Sequence, residues 1–174
     1  INASGVMVGT IGTSQLGFTP PMGVMWDSTG LPVALTNGLG LSPTDISDGG
    51  IIIANRAGQR WAYLTPSKSV PLPLPRGART VSAAAIDWRG TIVGEMTDVN
   101  GARLPVLWRL VSRSRWTASA LPLPRPWIAG GAVDINALGD ISGWVTDGSG
   151  IDRAWVWYAN GQHQEVATIA SRAG

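Results

Sequence analysis

Short apolar runs alternate with turns rich in Gly, Asp, Asn and Ser along the whole chain. A similar pattern begins four times, in the segments INASGVMVG, ISDGGIIIA, IDWRGTIVG and INALGDISG. In every copy an Ile is followed four residues later by a Gly and then by a hydrophobic run. The four isoleucines Ile1, Ile46, Ile86 and Ile135 are 45, 40 and 49 residues apart. The chain is therefore built from repeats.

Two further landmarks follow each Ile in the same order. The first is a strand that ends on a large apolar residue, at Trp26, Leu64, Trp108 and Trp157. The second is a Pro/Leu strand from Leu31, Val70 and Ala120, which QEVATI from Gln164 replaces in the last copy. Asp45-Ile46 is predicted to be the last strand of the first unit.

The spacing of the copies matches one four-stranded blade of a β-propeller. Runs such as MVG, IIIA and TIVG place apolar residues at consecutive positions, which is typical of strands buried on both faces. We predict an all-β fold with almost no helix, a β-propeller or propeller-like array of four units with three to four antiparallel strands each. The single repeat domain covers residues 1–174, with units at about 1–45, 46–85, 86–134 and 135–174, and is either whole or part of a longer propeller.

A specific resemblance follows from these landmarks. The pattern A-x-D-I-N-x-x-G-x-I-x-G, then A-x-x-W, then L-x-L-P, resembles the bacterial extracellular repeats called HAF repeats. AVDINALGDISG and DRAWVWYANGQ match best, whereas the copy with ISDGGIIIA and WAYL is degenerate. The His-Ala-Phe triplet behind the name is absent, for example at Gly23-Val24-Met25. The resemblance implies a propeller-like fold, secretion or surface display, and no catalytic motif.

The composition limits the classes of partner that this chain is expected to bind. The chain has 174 residues, a net charge of only +2 and no Cys, and it contains no apolar run long enough for a membrane span. The small net charge predicts no binding to nucleic acid. The chain starts at Ile, so we expect a mature form or a portion of something longer.

Eight of the nine tryptophans fall into two groups by repeat position. Trp26, Trp108 and Trp157 share one position, which predicts a core role between units. Trp61, Trp88, Trp116, Trp127 and Trp144 have no equivalent in the other copies, so they are the better candidates for a surface site. Aromatic faces stack on sugars and bases. Packing under a loop is the alternative for each of them.

Unit 3 departs most from the repeat, through the inserted segment RLVSRSRWTAS. This segment brings Arg109, Arg113, Arg115 and Trp116, and Trp127 follows. Arg and Trp together suit an anion or a glycan, although an ordinary solvated loop has the same composition. We predict a ligand site at Trp116, Trp127, Arg113 and Arg115, with Trp88 and Trp144 as further candidates.

Catalytic and metal chemistry have weaker signals. Asp45, Asp87 and Asp134 occupy similar positions, and paired carboxylates at one end of a propeller would suit a glycosidase; repeated turn caps are the alternative. The loops at Asp98 and Asp147 resemble parts of calcium loops but lack a closing Glu, and D-G and N-G are common turn dipeptides. His163, the single His, has no nucleophile motif near it. We predict no catalytic residue, no metal and no cofactor.

The sequence favours a non-enzymatic binding module, secreted or at the cell surface, that recognises a glycan or protein partner through loops. A glycan-active hydrolase and a purely structural assembly subunit stay open as alternatives. Four units leave outer faces that need cover, from ring closure, a homo-oligomer or neighbouring repeats of a longer chain. We expect the segment 166–173 to lie beside the strand that starts at Val6.

Overall fold

The computed structural model describes residues 1–12 and 20–167. Their regular structure is almost entirely β-strand, in four antiparallel sheets that follow one another along the chain. The prediction of an all-β chain with four units of three to four antiparallel strands is confirmed. The segment 166–173 lies outside the described residues, apart from positions 166 and 167.

Each sheet is formed by consecutive strands. Sheet 1 contains β1 (Met7–Ile11), β2 (Met22–Trp26) and β3 (Pro32–Leu39). Sheet 2 contains β4 (Ser42–Ile46), β5 (Ile52–Arg56), β6 (Gln59–Thr65) and β7 (Lys68–Pro71). Sheet 3 contains β8 (Ala78–Ile86), β9 (Ile92–Asp98), β10 (Arg103–Ser112) and β11 (Arg115–Ala120). Sheet 4 contains β12 (Ala129–Ile135), β13 (Ile141–Thr146), β14 (Asp152–Trp157) and β15 (His163–Glu165).

The sheets are offset from the predicted units. Ile46, Ile86 and Ile135 each end the first strand of a sheet, at β4, β8 and β12. The prediction that Asp45-Ile46 closes the first unit is therefore wrong. The sequence repeat begins at the turn after the first strand because that turn, and not the strand before it, carries the recognisable Asp/Asn and Gly residues.

The repeated turn has one chemical pattern. Asp87 opens it in sheet 3, where its Oδ1 accepts hydrogen bonds from the backbone N–H of Arg89 (2.9 Å) and Thr91 (2.7 Å). Gly90 closes it with a φ of 81°, a left-handed conformation that glycine adopts without strain. Equivalent bonds open the turns at Asn2, Asp27, Asp98, Asn136 and Asp147.

The Pro/Leu segment from Leu31 forms the strand β3 as predicted, whereas those from Val70 and Ala120 differ from their prediction as strands. β7 ends at Pro71 and β11 ends at Ala120, so most of each segment in sheets 2 and 3 follows the fourth strand. Proline has no N–H to donate to a strand partner, which explains why the ladder stops there. The segments instead offer their carbonyl groups to the next sheet.

In sheets 2, 3 and 4, one repeated aromatic position donates a hydrogen bond toward the preceding sheet. Strand pairing shows that Trp26, Tyr63, Trp108 and Trp157 occupy the same place in their sheets, so Tyr63, not Leu64, is the repeat residue of sheet 2. Trp108 Nε1 donates to the Pro73 carbonyl, and Trp157 Nε1 donates to the Pro122 carbonyl, both at 2.8 Å. Tyr63 Oη donates to the Thr36 carbonyl of sheet 1 at 2.7 Å.

Three hydrophobic clusters join neighbouring sheets. One lies between sheets 1 and 2, the second between sheets 2 and 3, and the third between sheets 3 and 4. Trp108 and Trp157 are buried in these clusters, as predicted, whereas Trp26 is half-buried on sheet 1. Where a strand lies between two neighbouring sheets, both of its faces are covered, which is why its apolar residues occupy consecutive positions.

Candidate functional site

Trp116 lies in the core and not at a surface site. Its side chain is only 4% exposed and packs in the cluster between sheets 2 and 3. Its Nε1 donates to the Gly90 carbonyl at 2.8 Å. The prediction that Trp116 is a surface ligand residue is wrong. The hairpin of β10 and β11 is longer than its counterparts in the other sheets. Its additional length includes Trp116, whose ring packs on the apolar side chains between sheets 2 and 3.

Trp127 and Trp144 are half-buried and have structural contacts. The Trp127 ring meets the edge of Trp155 at a centroid distance of 5.3 Å, within the cluster between sheets 3 and 4. The Trp144 ring lies 4.4 Å from the guanidinium of Arg103, which also bonds Glu95 at 2.7 Å. Both tryptophan side chains therefore already have partners within the protein.

Trp88, Arg113 and Arg115 are exposed, as the ligand hypothesis requires. Trp88 is 54% exposed, and its Nε1 donates to the Ala137 carbonyl of sheet 4 at 3.1 Å. Arg113 lies in the turn of the β10–β11 hairpin, and Arg115 begins β11. The six predicted residues therefore do not form one site, but these three lie at the same end of the sheets.

This end, here called the turn face, carries the turn after the first strand position of each sheet and the turn after the third. The first set comprises Asn2–Gly5, Ser47–Gly50, Asp87–Gly90 and Asn136–Gly139. The second set includes Asp27–Gly30, the turn at 113–114 and Tyr158–Gly161. Antiparallel strands bring both sets to one end because every second turn lies on the same side of the sheet.

A cleft opens on the turn face between sheets 3 and 4. It has a volume of about 320 Å³. Apolar side chains form its inner part, namely Leu107, Leu121, Ile135, Ile141 and Trp157. Polar and charged side chains form its rim, including Arg89, Arg109, Tyr158 and Gln162. A concave apolar site with a few polar groups is the usual form of a small-ligand site.

The cleft is electrostatically positive. Arg89 and Arg109 are exposed, and within residues 1–12 and 20–167 no carboxylate oxygen lies within 4.0 Å of either guanidinium. Asp87 is the acidic residue of the lining, but its side chain is buried and Oδ1 accepts the two turn N–H groups. The lining of the cleft therefore carries two guanidinium groups and one carboxylate, and that carboxylate already accepts hydrogen bonds from the backbone.

Trp88 contributes to this cleft through its neighbour. The Arg89 guanidinium lies over the Trp88 ring, 4.7 Å from the ring centre. The Trp88 indole is itself fixed by its hydrogen bond to Ala137. A guanidinium stacked on an aromatic face keeps its in-plane N–H donors available, so Trp88 restrains Arg89 without occupying those donors.

The cleft includes residues of unit 3, the unit that the sequence singled out, but they are not the residues predicted there. Arg109 stands in the inserted segment directly after the repeat residue Trp108, and Arg89 follows Trp88 in a turn. In the sequence, neither arginine stands out from the repeat as clearly as the tryptophans do. A guanidinium that follows a fixed tryptophan in the chain was the available signal.

The three candidate carboxylates hold the backbone. Asp45, Asp87 and Asp134 line a recess of about 200 Å³ that residues from the first turns of all four units also line. Asp45 accepts the N–H of Ile46 at 2.8 Å and the N–H of Ile86 in the next sheet at 2.9 Å. Asp134 accepts the N–H of Ile135 at 2.8 Å. These bonds favour the role of repeated caps over carboxylate chemistry.

The loops that resembled calcium sites are also turns. Asp98 Oδ1 accepts the N–H groups of Asn100 and Ala102, both at 2.8 Å. Asp147 makes the same pair of bonds to Ser149 and Ile151. In the described part of the chain, no three His, Asp or Glu side chains are placed to hold a metal ion.

His163 is packed against an aromatic ring. Its imidazole stacks on Trp155 at a centroid distance of 5.7 Å with an angle of 28° between the planes. Over residues 1–12 and 20–167, no hydroxyl or carboxylate forms a hydrogen bond with its Nδ1, which is buried. This arrangement offers no Ser-His-Asp geometry.

The comparisons with known proteins add no relative. No family model, no curated protein and no solved structure matches this chain. Among the residues that the structure describes, none belongs to a helix of the length and apolar character needed to cross a membrane. The site must therefore be interpreted from its own geometry.

Proposed function

We propose that this chain is a non-enzymatic binding module, secreted or displayed at the cell surface, that recognises a glycan or protein partner through its turn face. The observation that carries the proposal is the cleft between sheets 3 and 4, with its apolar inner surface and two guanidinium groups that have no carboxylate partner among the residues the structure describes. The resemblance to HAF repeats supports the extracellular location.

The architecture that we propose for this module is a β-propeller, with the four sheets as blades. Three features support it: the sheets pack in chain order, the first strands of sheets 2, 3 and 4 lie side by side, and the first turns of all units meet at one recess. The repeated aromatic bond from one sheet to the sheet before it adds a regular blade-to-blade contact.

Binding arrays test this function directly. Wild-type protein should bind at least one partner on an array of bacterial and plant glycans or of secreted proteins. Ala159→Trp places a large ring at the exposed rim of the cleft and should reduce that binding by roughly 10-fold or more, because the ring fills space that the partner would occupy. Ser114→Trp adds the same ring on the neighbouring turn outside the cleft lining and should leave binding unchanged. Equal effects of both variants would contradict the placement.

A structural assembly role is the second candidate, and one observation favours it. Sheet 1 has no preceding sheet among the described residues, and its Met7, Ile11 and Met22 are about 40% exposed, at 41%, 39% and 39%. Apolar sheet faces of this kind are usually covered by a partner. Sedimentation at micromolar concentration distinguishes the cases: a monomer argues against assembly, whereas a stable oligomer that Met7→Lys dissociates supports it.

A further inference from the structure

We infer that the ligand of the cleft between sheets 3 and 4 carries a carboxylate on a sugar ring, as in an acidic polysaccharide built from hexuronate units. This inference rests on the proposed binding function and narrows its ligand class. It depends on the charge of the cleft, the preorganisation of one guanidinium, and the shape of the surface below.

The charge favours an anion. Arg89 and Arg109 reach the cleft from different elements, the turn after β8 and the strand β10. In the described part of the chain neither is neutralised within 4.0 Å, although the chain forms ion pairs elsewhere, at Arg103 and Arg153. Two guanidinium groups that line one cleft can both donate to the oxygens of a bound carboxylate, and hydrogen bonds between charged groups are the strong ones.

The position of Arg89 is set before a ligand arrives. Its guanidinium lies on the Trp88 ring, and that ring is bonded to the Ala137 carbonyl of sheet 4. Less side-chain freedom is lost on binding when the charged group is already held in place. An exposed arginine of an ordinary solvated loop has no such support.

The shape favours a sugar over a free inorganic anion. The cleft volume of about 320 Å³ is much larger than a single ion needs, and buried apolar side chains such as Leu107 form its inner part. The Tyr158 side chain also lines it. A sugar ring has apolar C–H faces for such a surface and hydroxyl groups for a polar rim, whereas an inorganic anion would leave the apolar part in water.

The test uses a uronate and its neutral counterpart. Isothermal titration compares trigalacturonate with its trimethyl ester, and an oligoglutamate peptide represents an acidic protein. We expect wild-type protein to bind trigalacturonate at least 10-fold more tightly than the ester, because removing a charged hydrogen bond weakens binding by about this factor or more. Binding should also weaken as salt is raised from 50 to about 500 mM, since added ions screen the exposed charges.

Single substitutions show which residues bind the carboxylate. Arg89→Gln and Arg109→Gln should each weaken binding of trigalacturonate by roughly 10-fold or more, and neither should change binding of the ester. Arg113→Gln removes an exposed arginine from the neighbouring hairpin outside the cleft lining and should have little effect. Trp88→Phe removes the indole bond to Ala137 and should weaken trigalacturonate binding by a smaller factor.

The outcomes separate this inference from the proposed function. Equal affinity for trigalacturonate and its ester would overturn the carboxylate inference, and so would tight binding of oligoglutamate with no binding of the uronate. In both cases a ligand that Ala159→Trp displaces would still support the binding function. If neither the arrays nor the titrations give any ligand at the cleft, both proposals fail.

Discussion

Replacing Trp116 by alanine tests the most consequential difference between the sequence pattern and the structure. The pattern places Trp116 in an exposed Arg/Trp insertion, where truncation would cost less than about 1 kcal/mol. In the structure its side chain is almost completely buried between sheets 2 and 3 and bonded to the Gly90 carbonyl. A large destabilisation is therefore expected.

The magnitude follows from area and hydrogen bonding. A tryptophan side chain buries roughly 200 Å², and at about 25 cal/mol per Å² this contributes up to about 5 kcal/mol. Measured truncations of core aromatic residues fall at about 3–5 kcal/mol, which is the loss we expect for Trp116→Ala. Trp116→Phe keeps most of the ring but leaves the Gly90 carbonyl without its donor, so it should cost about 1–2 kcal/mol.

Urea titration followed by far-ultraviolet circular dichroism measures these losses without relying on tryptophan fluorescence. Trp88→Ala is the matched control, because Trp88 is the same residue type in the same unit but 54% exposed. Its loss should stay near or below about 1 kcal/mol. If Trp116→Ala and Trp88→Ala lowered the free energy of unfolding by the same small amount, the burial argument would be wrong.

Three further predictions concern single residues of the sheets and turns. Tyr63→Phe removes the bond to the Thr36 carbonyl and should cost about 1–2 kcal/mol in a denaturant titration. Burial raises the pKa of Tyr63, so its contribution is present below the ordinary phenol pKa of about 10 and is lost as pH rises through the folded-state value; the variant should flatten this alkaline loss. Arg60 is buried, desolvation lowers its pKa to about 10, and no carboxylate in the described residues lies within 4.0 Å of it. Arg60→Met should therefore be neutral or stabilise the fold by about 1 kcal/mol, and a clear loss of unfolding free energy would contradict this. Gly94→Ala would force a methyl group onto the Ser82 carbonyl oxygen and should cost about 3 kcal/mol or more. At Gly101 the added methyl group meets no described atom within 4 Å, so Gly101→Ala should cost only the strain of a positive φ, about 1–2 kcal/mol; similar thermal midpoints for the two variants would refute the difference.

The sequence alone predicted the all-β fold, the four units and the chemistry of the turns. These features are local or repeated: an Asp or Asn that accepts N–H groups two and four residues later needs only its own segment. A Gly with positive φ after it needs only the same turn. The core role of Trp108 and Trp157 was also predictable, since a residue kept at one repeat position serves an interface that is itself repeated.

The residues at which each sheet begins and ends were harder to predict from the sequence. The repeat is visible at Ile46, Ile86 and Ile135, but these residues end first strands, because hydrogen-bond pairing and not sequence similarity defines a sheet. The Pro/Leu segments looked like strands, yet their carbonyl groups bond to aromatic residues 35 positions later, Trp108 and Trp157. Contacts over that distance depend on how sheets pack.

Only the tertiary structure decided which unusual residues are buried and which face a common cleft. Trp116, Trp127 and Trp144 stand out in the sequence equally with Trp88, but the first three are taken up by packing against residues far away in the chain. Arg89 and Arg109 are twenty residues apart and unremarkable in sequence, and they line one cleft because β-strand pairing and the packing of sheet 4 on sheet 3 place them there. Burial and convergence are properties of packed sheets, and a residue's type and neighbours in sequence do not specify them.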